Sequence, residues 1–404
     1  MLSRRAAIGG LGAALLPGCR PAAAPDRGAE TQADFIDLPF ANGRRPLVAL
    51  PGKRRLIQLT QRPPQLETPF AIFDDGLLTP NDAFFVRYSM AMLPLDLDPA
   101  QWRLEVAGHV AKPLSLSLGE LKALGETDLV AVNQCSGNSR GFSEPRVGGG
   151  QLGHGAMGNA RWTGVPLDRV LEAAGIRPGA VELLFEGLDR PASPASPDFA
   201  KSLALDHAAD GKVMLAWAMN GEPLPFLNGF PLRLVVPGWF GTYWVKHLER
   251  ITVLDRPFDG YFMTGTYRMP DNDCGCVEPG TKPERTVPIS RLRVRSFVTS
   301  HEAGMAVPAG PTEVRGIAFD GGSGIARVLV SADGGASWAP ARLGEDLGPY
   351  SFRGWQAQLH LPAGRPVLMA RAVSKAGEAQ PMTASWNPSG YARNVVEAVP
   401  LVTA

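Results

Sequence analysis

Cys135 closes the apolar run Asp128-Leu-Val-Ala-Val and opens the loop Asn133-Gln-Cys-Ser-Gly-Asn-Ser-Arg-Gly-Phe142, a junction that constrains the chain more than any other segment. β-prone residues that end abruptly at polar turn formers predict a buried strand with a loop at its end. The loop is built from small residues, so its backbone amides can approach a ligand closely. Arg140, five residues beyond the thiol, can return a fixed positive charge to whatever binds there. Alone, a thiol on such a loop is ordinarily a small buried hydrophobe. Its surroundings argue for more.

Upstream lies Phe84-Phe-Val-Arg-Tyr88. Downstream follow Gly153-His-Gly-Ala-Met-Gly-Asn-Ala-Arg-Trp162, Met219-Asn-Gly-Glu-Pro-Leu-Pro225, Phe230-Pro-Leu-Arg-Leu-Val-Val-Pro-Gly238 and Trp244-Val-Lys246. In that order, across roughly residues 66 to 400, these motifs resemble the sulfite oxidase family of molybdenum-pterin enzymes, with periplasmic bacterial sulfite dehydrogenases the nearest in pattern.

Bulk properties fit an ordinary globular protein. With 404 residues, the chain exceeds what one core usually holds, so two domains and a leader are expected. It is 45% hydrophobic and 20% charged, and its formal net charge of +1 argues against nucleic acid as a partner. No long uncharged apolar stretch follows the leader, so no membrane-spanning helix is expected in the mature protein. No Cys-x-x-Cys-His site occurs, which predicts no haem in this chain and electron transfer to a separate protein.

Ser3-Arg4-Arg5 followed by the apolar stretch Ala6–Leu16 reads as a secretory leader, and its paired arginines suggest the twin-arginine route. That route carries proteins already folded around a cofactor, and it predicts a periplasmic location. Leu16-Pro-Gly-Cys19 resembles a lipoprotein box, while Ala22-Ala-Ala24 offers ordinary cleavage. A membrane association is expected only if Cys19 is lipidated.

The expected organisation is a leader over 1–24, an extended Pro-, Arg- and Gln-rich arm over 25–65, a catalytic domain over 66–280 and a second domain over 281–404. In the catalytic domain, strands are expected at 102–108, 181–187 and 232–236. Ser117–Leu124 reads as a capped helix, and Pro166–Gly175 as a helix with Pro at its start and Gly past its end. Mixed order of this kind gives an α+β fold class. Beyond 288, alternating segments at 310–319, 325–331 and 367–373, punctuated by turns such as Asp333-Gly-Gly335, predict an immunoglobulin-like β-sandwich. The resemblance makes the first a molybdopterin-binding domain and the second a dimerisation domain, hence a homodimer. Cys274 and Cys276 read as a surface Cys-Gly-Cys turn, oxidised if the compartment permits, with contact to a redox partner as the alternative.

A soft sulfur suits a high-valent metal. The resemblance assigns Cys135 as the one protein ligand to molybdenum, with a pterin completing the site. A small oxyanion calls for guanidinium groups with paired donors in a plane. Arg87 and Arg140 match the family's substrate arginines, and Tyr267 lies where the family carries its active-site tyrosine. The pterin contacts implied are Phe85, Val86, Arg87, Tyr88, Asp189, Asn228, Arg233, Trp244, Val245 and Lys246, with His154 reaching the cofactor or its access channel. The chain departs from the family at Ser89, Leu152 and Ser389, positions that elsewhere hold a histidine, an aromatic residue and a third arginine; Arg393 could compensate for the last.

These residues imply periplasmic oxidation of sulfite to sulfate at a molybdenum-molybdopterin centre, with electrons passed to a c-type cytochrome. Two other readings stand beside it. The departures at Ser89 and Leu152 suit a sulfane dehydrogenase acting on protein-bound sulfur in thiosulfate oxidation. A pterin-free assembly scaffold built on the β-sandwich would need none of Cys135, Arg87 or Arg140.

Overall fold

The computed structural model describes residues Phe35–Ala404. The expected leader, its paired arginines and Cys19 lie outside them. Within the expected arm, the chain forms β1 (Phe35–Asp37), β2 (Arg44–Val48) and β3 (Leu56–Thr60). With β4 (Gln65–Glu67) and β5 (Val86–Arg87) these make one antiparallel sheet in chain order. This corrects the arm: residues 35–60 belong to a paired sheet. Leu56, Leu66, Val86 and Tyr88 form its small buried core. The sheet also places Arg87, because β5 pairs Gln65 with Arg87.

The next elements follow the sequence closely. They are β6 (Leu104–Gly108), β7 (Leu114–Leu116), α1 (Leu118–Ala123), β8 (Thr127–Gln134), β9 (Met157–Pro166) and α2 (Leu167–Ala174). Ser117 caps α1 in a full capping box with Glu120, which satisfies free amides at both positions. Helix α2 starts after Pro166 and stops at Gly175, whose φ of +66° suits a residue without Cβ. Then come β10 (Glu182–Gly187), β11 (Ala200–Ala204), β12 (Met214–Met219), β13 (Glu222–Pro223), β14 (Arg233–Val235) and β15 (Leu248–Leu254).

These strands form two sheets. One has the order β11-β10-β15-β6-β7, with β15 and β6 parallel and the other pairs antiparallel. The other has the order β13-β12-β9-β8, with β14 also on β12. Strands β8 and β9 pair without a break from Thr127 opposite Gly164 to Gln134 opposite Met157. Fully buried Trp162 donates from its indole to the Ala131 carbonyl at 3.0 Å and locks that pairing. Cys135 therefore leaves a strand that is fixed on one side for its whole length.

The C-terminal residues form the expected sandwich. Strands Arg295–Val298, Gly310–Phe319, Arg353–Leu361 and Arg342–Leu343 make one sheet. Strands Ala339–Pro340, Ile325–Ser331, Val367–Ser374 and Ala398–Pro400 make the second. Val314 and Trp355 from the first pack with Val328, Leu368 and Ala370 from the second. Cys274 and Cys276 are bonded to each other, and Asn272 accepts from the Cys276 amide at 3.1 Å. No helix among the described residues is long and apolar enough to cross a membrane.

Candidate functional site

Two adjoining pockets open where β8 ends. The inner one, about 660 Å³ with its mouth included, lies among Phe85, Cys135, Asn228, Arg233, Trp244 and Lys246. The outer one is walled by Arg140, Leu152, Tyr261, Phe262 and Tyr391. Arg87, Ser89, Cys135 and Tyr267 line both, so the half-buried thiol stands where the pockets meet. The Cys135 amide donates to the Ala156 carbonyl at 2.9 Å, which holds the sulfur at the strand end.

The loop after Cys135 is shaped around Arg140. A Cβ on Gly137 or Gly149 would come within 2.8 Å or 2.7 Å of the guanidinium, so a side chain at either position would push Arg140 from its place. The Arg140 Nε donates to the Ser389 carbonyl at 2.7 Å and one Nη to the Gly150 carbonyl at 3.3 Å. Ser139 holds a φ of +68°, an uncommon conformation for a residue with a Cβ. Its hydroxyl is fixed by His154 Nδ1 at 2.7 Å and by an Arg295 donor at 2.8 Å. The left-handed turn thus aims Arg140 into the outer pocket.

Arg87 enters from β5, with its carbonyl accepting from Lys246 Nζ at 2.9 Å. Across the mouth, the Tyr267 hydroxyl lies 3.2 Å from Ser89 Oγ. Tyr267 also has positive φ, at +55°, so its direction is imposed by the surrounding structure.

The inner pocket is cationic and hydrogen-bonding. Burial pushes the Lys246 ammonium down to about 8 against the pull of Asp189, and pushes Arg233 down to about 9. The Asp189 carboxyl is raised by burial and partly lowered by Lys246. Arg233 donates to the Asn228 carbonyl at 2.8 Å and lies over the Trp162 ring at 4.8 Å. Four buried polar atoms of the lining, Asn133 Oδ1, Ser136 Oγ, Arg233 Nε and Thr242 Oγ1, have no partner among the described residues. Each such orphan costs about 1–3 kcal/mol unless something fills it. A Cβ on Gly241 would meet Asn133 Oδ1 at 2.3 Å, so backbone itself forms part of the wall.

This donor set fits an anionic, hydrogen-bonding organic group such as a pterin phosphate, with one soft ligand for a metal at Cys135. Among the described residues no cluster of three His, Cys, Asp or Glu side chains could hold a metal. A metal here would draw its remaining ligands from the bound group.

Most residues singled out in the sequence converge. Phe85, Arg87, Cys135, Asp189, Asn228, Arg233, Trp244, Lys246 and Tyr267 line the inner pocket, and Arg140 and Tyr88 the outer one. Three do not. Val86 and Val245 are buried in apolar clusters, because alternation along the chain turns their side chains away from the pocket. His154 stacks on Phe142 with centroids 4.3 Å apart and faces Ser139, away from both pockets. Burial, reinforced by Arg295 and Arg393 and opposed by Glu397, pushes its imidazole down to about 3. Arg393 does not replace the missing third arginine, since it is engaged by Glu397 at 3.0 Å and by the Phe142 carbonyl at 3.1 Å.

Sequence reasoning missed Asn133, Ser136, Thr242 and Tyr391 as lining residues, and Lys53 behind them. Lys53 Nζ donates to Asn228 Oδ1 and, at 3.0 Å, to the Phe84 carbonyl, which anchors the amide of Asn228 on the pocket floor. Asn133 and Ser136 flank Cys135 and could have been read from adjacency; nothing local marks the others.

Comparison with known proteins agrees with this geometry. Residues 90–262 match a family described as an oxidoreductase molybdopterin binding domain, and residues 286–402 one described as a Mo-co oxidoreductase dimerisation domain. The chain is 36% identical over 350 residues to the sulfite oxidase of Gallus gallus, covering 82% of this chain and 74% of that protein. It is 34% identical over 353 residues to the mitochondrial sulfite oxidase of Rattus norvegicus, covering 83% of this chain but 63% of that longer protein. Among solved structures, the sulfane dehydrogenase SoxCD from Paracoccus pantotrophus superposes with a TM-score of 0.73 at 27% identity, covering 86% of this chain and 87% of that one.

Proposed function

The chain belongs to the sulfite oxidase family of molybdenum-pterin oxidoreductases, and on that premise we propose that it oxidises sulfite to sulfate and passes the electrons to a c-type cytochrome. We place this activity in the periplasm, reached by the twin-arginine route, in a protein that pairs with a second copy through its C-terminal sandwich. The observation that carries the reading is the meeting of Arg87, Arg140 and Tyr267 around the Cys135 sulfur at the junction of two pockets.

In the proposed reaction sulfite and water yield sulfate, two electrons and two protons. The molybdenum-pterin group, when bound, supplies the two-electron oxygen-transfer chemistry. The chain's own residues bind, orient and neutralise charge. Cys135 would ligate the metal, while Arg233, Lys246 and Asn228 would hold the pterin and its phosphate. Arg87 and Arg140 gather the dianion through planar, charge-assisted hydrogen bonds. Tyr267 donates from its hydroxyl to a substrate oxygen without adding a full charge, and Ser89 restrains that hydroxyl at 3.2 Å. Leu152 and Tyr391 exclude water from the outer wall and strengthen these interactions.

The likeness to a sulfane dehydrogenase favours one second reading, action on protein-bound sulfur. Steady-state assays of molybdenum-replete protein with sulfite and cytochrome c separate the two. Turnover with free sulfite supports the first reading; turnover only with a sulfur-loaded carrier protein replaces it with the second.

A further inference from the structure

We propose that Tyr391, carried into the outer pocket by the C-terminal sandwich, is a positioning residue that sets oxyanion affinity by holding the Arg140 guanidinium against its ring. The inference rests on the reading of this pocket as an oxyanion site.

The Arg140 Cζ lies 4.9 Å from the centre of the Tyr391 ring. The same ring lies 5.8 Å from that of Tyr267, with their planes 14° apart. One aromatic side chain therefore supports both groups that would face the substrate. Arg140 is also pulled from the side by the Ser389 and Gly150 carbonyls, through Nε and one Nη. Its other Nη has no hydrogen-bond partner among the described residues and stays available to an anion. Stacking removes the remaining freedom of a planar cation and is worth most where water is excluded.

The turn that delivers Tyr391 is itself tightly specified. Asn387, 4% exposed, accepts from the Tyr391 amide at 3.1 Å and donates to its carbonyl at 2.9 Å. Gly390 has a φ of +59°, and a Cβ there would come within 2.9 Å of the Arg140 Cγ. Only a glycine lets the turn pass this close to the arginine. The ligand class that fits is a compact, multiply charged oxyanion, because a flat guanidinium fixed from two sides cannot follow a bulky group.

The test compares sulfate binding by calorimetry with sulfite kinetics, on molybdenum-replete wild type, Tyr391→Leu and Tyr391→Phe. Y391L is expected to weaken sulfate binding by roughly 3- to 30-fold, the range for losing a desolvated cation–π contact. The KM for sulfite should rise in parallel, with kcat moving much less. Y391F keeps the ring and should recover most of the lost affinity. Sulfate affinity unchanged in Y391L, or a Y391F as weak as Y391L, overturns the proposal. Should Y391L fail to load molybdenum, Tyr391→Gln takes its place, with the same loss expected and the same outcome decisive. Wild-type protein that binds sulfate but cannot oxidise sulfite removes the proposed reaction and leaves the affinity test standing.

Discussion

Arg295, on the first strand of the C-terminal sandwich, donates to the hydroxyl of Ser139 at 2.8 Å, and so ties the second domain to the residue just before Arg140. The same Arg295 donor reaches Glu397 at 2.9 Å, which also accepts from Arg393. Desolvation raises the Glu397 carboxyl, but His154, Arg393 and Arg295 hold it down at about 2. The catalytic loop is thus braced by a charged network that belongs mostly to the other domain.

Arg295→Met should therefore destabilise the whole molecule. Breaking a buried pair from one side typically costs about 3–5 kcal/mol. Arg393 still partners Glu397, so the lower end is expected. Differential scanning calorimetry checks this; an unchanged Tm would mean that the network carries no stability.

Cys135→Ala should give folded protein without turnover, because the metal loses its one protein ligand. The thiol is half-buried and fills little of the core, so Tm should fall only slightly. Sulfite turnover measured beside circular dichroism and metal content decides the point, and parental turnover would sink the ligand role.

Arg140→Met should leave cofactor content near the parental level while lowering kcat/KM for sulfite. Losing a charged hydrogen bond costs about 1.5–3 kcal/mol, or roughly 10- to 150-fold. An unchanged kcat/KM would exclude contact between Arg140 and the oxyanion.

Glu67 makes stability pH-dependent. Its buried carboxyl accepts from the Gly153 amide at 3.0 Å and the Gly155 amide at 3.3 Å. Burial raises it from 4.5 to about 7, although those amides and Arg45 pull the other way. A carboxyl raised on folding adds stability that is complete below 4.5 and is lost as pH rises through about 7. Glu67→Gln, which cannot ionise but keeps only one of the two acceptor oxygens, should therefore compare better with wild type above neutral pH than near pH 4, by up to about 3 kcal/mol. Thermal melts at both pH values check the sign; an equal effect at both would refute it.

Elements with local signatures are legible in the order of the residues. The capping box of Ser117 and Glu120, the Pro166 and Gly175 limits of α2 and the β8 run into Cys135 all lie within a few residues of the feature they specify. Most of the pocket is legible too, because its residues sit in long motifs that resemble a family. Sequence alone determined which residue types were available to this site and which stretches of backbone would carry them.

Tertiary structure decided which of them face the cavity. Residues 35–60 look like an arm because β1, β2 and β3 are short strands with little periodicity, and only their pairing with one another and with β4 makes them a sheet. Phe85 enters the pocket while Val86 turns into a separate core, a choice that a two-residue strand cannot encode without its partner. His154 turns from the cofactor pocket to Phe142 and Ser139, and Tyr391 enters from a separate domain. The physical reason is common to all of these. The direction of a loop side chain is set by contacts between segments separated in the chain, and those contacts exist only once the chain has packed, within a domain for Val86 and between domains for Tyr391.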